Sequence, residues 1–295
     1  MSPDVARAIL DEYLESLRRQ SLPASQRRAV ARERDRARFS PLNPVNVVNP
    51  VHARQPDGEC LGASPTGRQG ARKDAHGVKL IIGNKNYSSW SLRGWLACKQ
   101  SGLAFEELTV HIDGDDWQAA KHEGQFQPSA GKVPVLWDGE VVVWDSLAIL
   151  EYLADKVGRD RFWPKDDAAR GMARAMVAEM HSSYLAFRRQ CPVNIRKKIG
   201  GLQLTDEARN DIVRILGLWA EARARFGRGG PFLFGTFSAA DIFYAPVVTR
   251  FETYGIGVPG FAQAYVQAIE EHAWMQEWVR SAQDEEWTIE QFEVA

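Results

Sequence analysis

Aromatic residues are spread so unevenly along this chain that only one part of it can build a large core. The 295 residues include 10 Trp, 13 Phe and 7 Tyr, yet only Tyr13 and Phe39 precede residue 78. Half of the 14 prolines fall in the same stretch. Its 13 Lys and Arg against 9 Asp and Glu give +4, whereas the remainder, with 24 against 29, carries −5. Aromatic side chains supply much of the area a core buries, and a segment poor in them cannot offset its ordering entropy. The working body is therefore expected over residues 78–295. Residues 1–77 are expected to form a largely non-globular extension.

Local signals refine that extension. Pro3 suits a first helical position, and Ala6, Ile9, Leu10, Tyr13, Leu14 and Leu17 share one stripe, so a helix is expected over 3–20. Residues 24–38 mix Arg with Glu and Asp as a solvated helix does. Ser40 to Gly77 is rich in Pro, Asn and Gly without periodicity and reads as linker.

Composition excludes several classes of function. At 44% hydrophobic, 25% charged and net −1 the chain has ordinary soluble composition. No apolar run approaches the ~18–20 residues of a membrane helix. Asp4, Asp11, Glu12 and Glu15 near the start speak against a leader or transit peptide, so a cytoplasmic protein is expected. The charge balance points to neither nucleic acid nor membrane as partner. Cys60, Cys98 and Cys191 form no CxxC pair, and the six His show no HxxxH or HExxH spacing, so reduced thiols and no metal are expected.

From Val78 the pattern alternates. Val78–Gly83 reads as a buried strand, Ser91–Gln100 as a helix ending near Gly102, and Phe105–Val110 as a second strand. Residues 113–131 are polar, with room for one short helix. Val133–Leu136 reads as a short strand, turned by Asp138-Gly139 into a strand over 140–144. Asp145 or Ser146 then caps a helix ending near Gly158. This order, β-α-β-(α)-β-β-α over 78–158, suits a mixed four-stranded sheet with helices on both faces. Beyond Phe162-Trp163-Pro164 everything reads as helix: 166–190, 206–226, 239–254, 259–271 and 274–284, an all-α domain over 163–295.

Four short motifs fall at chemically useful places. Asn86-Tyr87-Ser88-Ser89-Trp90-Ser91-Leu92-Arg93 runs hydroxyls into a helix N-terminus, where free N–H groups and partial positive charge favour a thiolate. Lys132-Val133-Pro134 holds an extended residue before proline, whose backbone can pair with a peptide. Asp145-Ser146 opens a helix as an anion site does. Ser238-Ala239-Ala240-Asp241 has capping-box spacing and a structural role.

The ordered set resembles the soluble glutathione transferases, in particular the serine-type zeta (maleylacetoacetate isomerase-like) group, over essentially all of 78–295. The resemblance implies a thioredoxin-like domain followed by a helical one, glutathione as co-substrate, and a homodimer. It implies Ser88, with Ser89 as neighbouring candidate and Tyr87 third, as the hydroxyl that stabilises the glutathione thiolate. It implies a cis bond before Pro134, with Lys132, Val133 and Pro134 bordering the tripeptide. Ser146 would take the γ-glutamyl carboxylate and Asp145 the amino group. Trp90 stands where the zeta pattern has cysteine, which separates the expected conjugation from that group's isomerisation. The helical domain should supply the wall for a small electrophile. His181, Tyr184 and Arg188, spaced i, i+3 and i+7, are the candidates, with Asn194 and Arg196 nearby. Glutathione-dependent isomerisation and a non-catalytic binding module are the alternatives. The family pattern begins at Val78, so residues 1–77 are expected to be an added tail or the product of a start upstream of a native one at Val78.

Overall fold

The computed structural model describes residues 77–294, together with Ala8, Asp11 and Glu15. Those three residues are helical and exposed. The remainder of the helix expected over 3–20, the charged helix over 24–38, most of the linker and Cys60 lie outside the described residues.

The first part of the body is built on a four-stranded sheet ordered β2-β1-β3-β4. β1 (Val78–Gly83) pairs in parallel with β2 (Phe105–Val110) and antiparallel with β3 (Val135–Asp138). β4 (Val141–Val143) pairs antiparallel with β3. Alternation along β1 sends Leu80 and Ile82 to one face and Ile81 to the other. Leu80 and Ile82 join the main core with Leu92, Trp95 and Leu96 of α1 (Ser89–Ser101) and Ile149, Leu150 and Leu153 of α3 (Ser146–Val157). Ile81 joins a smaller core with Val135, Phe126 and Trp117 of α2 (Asp115–Ala120). β3 starts two residues later than expected, at Val135 rather than Val133. Pro134 has no N–H to contribute to the ladder. The Val133–Pro134 bond is cis. α1 closes on Gly102, whose φ of +71° suits glycine and whose N–H returns to Lys99.

The second part is helical: α4 (Asp167–Ser182), α5 (Leu185–Gln190), α6 (Asp206–Phe226), α7 (Ala239–Tyr254), α8 (Gly260–Glu270) and α9 (Ala273–Gln283). The single helix expected over 166–190 is in fact two. The chain breaks at Ser183-Tyr184, where Tyr184 takes φ +63° and is buried. The Tyr184 hydroxyl donates to Glu179 at 2.6 Å, and Asp211 of α6 accepts the Phe187 N–H at 3.0 Å, capping α5 from a neighbouring helix. α7 is buried along most of its length. At its start the Asp241 carboxylate accepts from the Ser238 N–H and hydroxyl and from the Leu233 N–H. Burial nevertheless pushes the Asp241 carboxyl up to about 6. Cys98 and Cys191 are both buried in the core, which pushes their thiols up.

Candidate functional site

The hydroxyl motif lies where the first strand hands over to α1. Ser88 is the N-cap: its Oγ accepts from the Ser91 N–H at 3.2 Å and donates to Ser91 Oγ at 2.8 Å. Ser91 Oγ in turn accepts the Gly83 N–H at 2.9 Å, tying the cap to the end of β1. Ser88 and Ser89 are both nearly buried, and the Ser89 hydroxyl makes no hydrogen bond among the described residues. The Tyr87 hydroxyl is drawn elsewhere. It donates to Glu293 at 2.6 Å and accepts from Arg196 at 3.0 Å.

Beside this turn, α1 packs closely on Pro134. A methyl group at Gly94 would sit 2.8 Å from Pro134 Cγ, closer than carbon atoms approach. Val133 lies just before the paired part of β3, and the Lys132 N–H closes a turn onto Ser129.

Asp145, not Ser146, caps α3. Its Oδ1 accepts from Leu147 N at 2.9 Å and Ala148 N at 3.3 Å. Its Oδ2 lies 2.9 Å from His181 Nε2, so one carboxylate serves both the helix end and the helical domain. Ser146 is completely buried, and its Oγ has no partner among the described residues.

The expected wall is only partly assembled. His181 and Arg188 both reach Trp90, at 5.2 Å between ring centroids and 4.5 Å from guanidinium carbon to ring centroid. Tyr184 does not join them, because the break turns it into the core against Glu179. Asn194 and Arg196 instead hold the loop before Ser88. Asn86 Nδ2 donates to Asn194, and Asn86 Oδ1 accepts the Arg196 N–H. Burial first, then Arg93 and Arg188, outweighs the pull of Asp145 and lowers the pKa of His181.

Two participants lay outside the sequence-based site. Arg93 is completely buried; its Nε donates to the Phe243 carbonyl, and its guanidinium lies 4.9 Å from the Trp90 ring centroid. In sequence it stood only as the last residue of the hydroxyl motif, with no role assigned to it. Glu285 accepts the N–H groups of Lys85 and Asn86, and no periodicity marked it. Among the described residues no cluster of three or more His, Cys, Asp or Glu is arranged to hold a metal. No helix of these residues is long and apolar enough to cross a membrane.

The model of the glutathione S-transferase N-terminal domain matches residues 87–156, and that of the C-terminal domain matches residues 203–281. The chain is similar to glutathione S-transferase L2, chloroplastic, of Arabidopsis thaliana, 29% identical over 160 residues covering 54% of this chain and 49% of that protein. It is also similar to the dichloromethane dehalogenase of Methylorubrum extorquens, 39% identical over 54 residues, 18% of each chain. The chain therefore spans about half or less of these curated relatives. A glutathione transferase homolog from Burkholderia gl BGR1, solved with bound glutathione, aligns with TM-score 0.52 at 21% identity over 71% of this chain and 99% of that one. Glutathione transferase Omega 3C from Trametes versicolor aligns with TM-score 0.52 at 19% identity over 72% and 87%. These two structures share the fold.

Proposed function

The chain belongs to the glutathione S-transferase family, and from that premise we propose that it joins glutathione through its sulfur to small electrophiles, with Ser88 stabilising the thiolate. The observation that carries this reading is the position of His181, which touches Trp90 in the first turn of α1 and Asp145 at the cap of α3. The N-termini of both helices thus border one site, and both favour negative charge.

In this reading the peptide backbone of glutathione runs beside Val133. Its γ-glutamyl carboxylate meets the unpartnered Ser146 hydroxyl and the first N–H groups of α3, while its ammonium shares Asp145 with His181. The thiol reaches the start of α1. When the Ser88–Ser91 pair reverses its sense, Ser91 donates to Ser88 and the Ser88 proton is free to face sulfur. That hydrogen bond favours the charged form and so lowers the thiol pKa. The thiol proton leaves to solvent. The thiolate then attacks an electrophilic carbon, forming a C–S bond while the leaving group departs with its electron pair. Ser89, with a free hydroxyl, is the second candidate, and the engaged Tyr87 hydroxyl ranks behind both.

The reading carries with it a cytoplasmic homodimer. Ser88→Ala combined with Ser89→Ala is expected to abolish conjugation while glutathione still binds. Turnover that survives both substitutions would overturn the assignment. Retention on glutathione without turnover of any electrophile by the unmodified protein would make the chain a binding module. Turnover of maleylacetoacetate alone would make it an isomerase.

A further inference from the structure

The wall around Trp90 holds more positive charge than the protein neutralises. Arg93 is completely buried, and beyond its single bond to the Phe243 carbonyl its Nη1 and Nη2 have no partner among the described residues. It is confined between Trp90 and Phe243, whose ring centroids lie 4.9 and 5.1 Å from its guanidinium carbon. Arg188 lies on the same Trp90 ring at 4.5 Å. Its Nη1 donates to the carbonyls of His181 and Ser183. Its Nε and Nη2 meet no acceptor among the described residues. Arg250, also buried, bonds among the described residues only the carbonyls of Cys191 and Pro246 and lies close enough to repel Arg93. The carboxylate that acts on Arg93 is Asp145, which already serves the α3 cap and His181.

A guanidinium stays protonated when buried, so the protein bears the desolvation cost of Arg93 without a counter-ion. Aromatic walls of low polarity strengthen the resulting field in the adjoining space. The Nε–Nη2 edge of Arg188 is the edge that takes a carboxylate through two parallel hydrogen bonds. We propose that the electrophile accepted here carries a carboxylate, bound by the free edge of Arg188 beside Trp90, with Arg93 reinforcing the attraction from beneath. This rests on the conjugation reading above and narrows it from electrophiles in general to anionic ones. Arg188 is the binding residue. Arg93 acts on the ligand only through its field.

The test uses two matched acceptors, 4-chloro-3,5-dinitrobenzoate and its neutral carboxamide. In each, the glutathione thiolate attacks the carbon bearing chlorine, the C–S bond forms, and chloride leaves with the bonding pair. The two corresponding S-aryl glutathione conjugates are titrated calorimetrically into the full-length protein, and turnover of the two chlorides is measured alongside. The carboxylate conjugate is expected to bind about tenfold more tightly than the carboxamide, with the preference shrinking as salt rises. Arg188→Gln should bring the ratio close to one, and Arg188→Lys should restore part of it. A ratio of one or less in the unmodified protein overturns the proposal. So does equal weakening of both conjugates by Arg188→Gln, which would assign Arg188 to glutathione itself. Conjugates that bind with the expected preference, without turnover of either chloride, would sink the conjugation reading and leave the carboxylate site standing. Failure of both conjugates to bind would sink both.

Discussion

His181 Nε2 lies 2.9 Å from Asp145 Oδ2, linking the last turn of α4 to the residue that caps α3. Because burial and the nearby arginines lower the His181 pKa, the folded protein holds a neutral imidazole that donates to the carboxylate. The unfolded chain protonates the same side chain below about pH 6.5. Between that value and the lowered folded one, the unfolded state binds more protons, so acidification costs stability. Urea unfolding at about pH 7.5 and about pH 5.5 should therefore show a smaller loss on acidification in His181→Gln than in the unmodified protein. His272, also lowered by burial, is common to both and cancels in the comparison. Equal losses would mean that His181 binds protons equally in the folded and the unfolded chain.

Asp145 can be divided between its two tasks. Asparagine caps helices about as well as aspartate, but it has no charge to offer an ammonium group. Asp145→Ala should lose about 1 kcal/mol of stability through the freed Leu147 and Ala148 N–H groups. Asp145→Asn should lose little. Both should weaken glutathione binding, by about tenfold, the size of one charge-assisted contact. Thermal unfolding and calorimetric titration of the two variants read the tasks separately. If Asp145→Asn binds glutathione as the unmodified protein does, the carboxylate has no role in holding it.

The sheet was legible because its signals are local. β1 and β2 were read to the residue, β1 from a nearly apolar run, and the β3–β4 reversal came from Asp138-Gly139. The start of α3 was read from two capping candidates, Asp145 and Ser146, of which Asp145 is the cap. The break at Ser183-Tyr184 was not legible, because it contains no Gly or Pro. Its geometry is held by Glu179 and Asp211, partners that only the packed structure supplies. That is why Tyr184, on the expected face by spacing, is absent from the wall. The same holds for Arg93, whose acceptor at Phe243 lies 150 residues on. It holds too for Asn86, bound to Asn194 and Arg196 more than 100 residues away.

Gly94 couples the packing of α1 to the proposed glutathione site. Its Cα faces Pro134 with no room for a methyl group, which would lie 2.8 Å from Cγ and 2.9 Å from Cβ of the ring. The ring is stiff and sits next to Val133, the residue proposed to lie beside the glutathione backbone. Gly94→Ala should therefore push the Val133–Pro134 segment away from α1 and cost about 1–3 kcal/mol, as overpacking does. The gain in helix propensity, about 1 kcal/mol, offsets only part of this. Glutathione affinity should fall together with the unfolding midpoint. An Ala variant with unchanged affinity and midpoint would mean that α1 can shift without disturbing Pro134.

The C-terminal segment holds the turn that carries the serines. Glu285 Oε2 accepts from Lys85 N at 2.6 Å and Asn86 N at 3.2 Å, and Trp278 Nε1 donates to the Lys85 carbonyl at 3.1 Å. Arg196 bonds the carbonyls of Glu285 and Trp287 as well as the Tyr87 hydroxyl, so the segment and the turn are fastened to each other from two sides. Removing the Glu285 carboxylate leaves two backbone N–H groups without their acceptor, at about 1–3 kcal/mol for each that stays dry. Glu285→Ala should lower kcat/KM about tenfold, since a small displacement of Ser88 would weaken the contact proposed for it with sulfur. Glu285→Gln keeps an acceptor oxygen and should recover most of the loss. The comparison is made on the thiol pKa of bound glutathione, followed by thiolate absorbance against pH. A purely structural role would lower the unfolding midpoint and leave that pKa unmoved, whereas loss of positioning should raise it in Glu285→Ala and return it in Glu285→Gln.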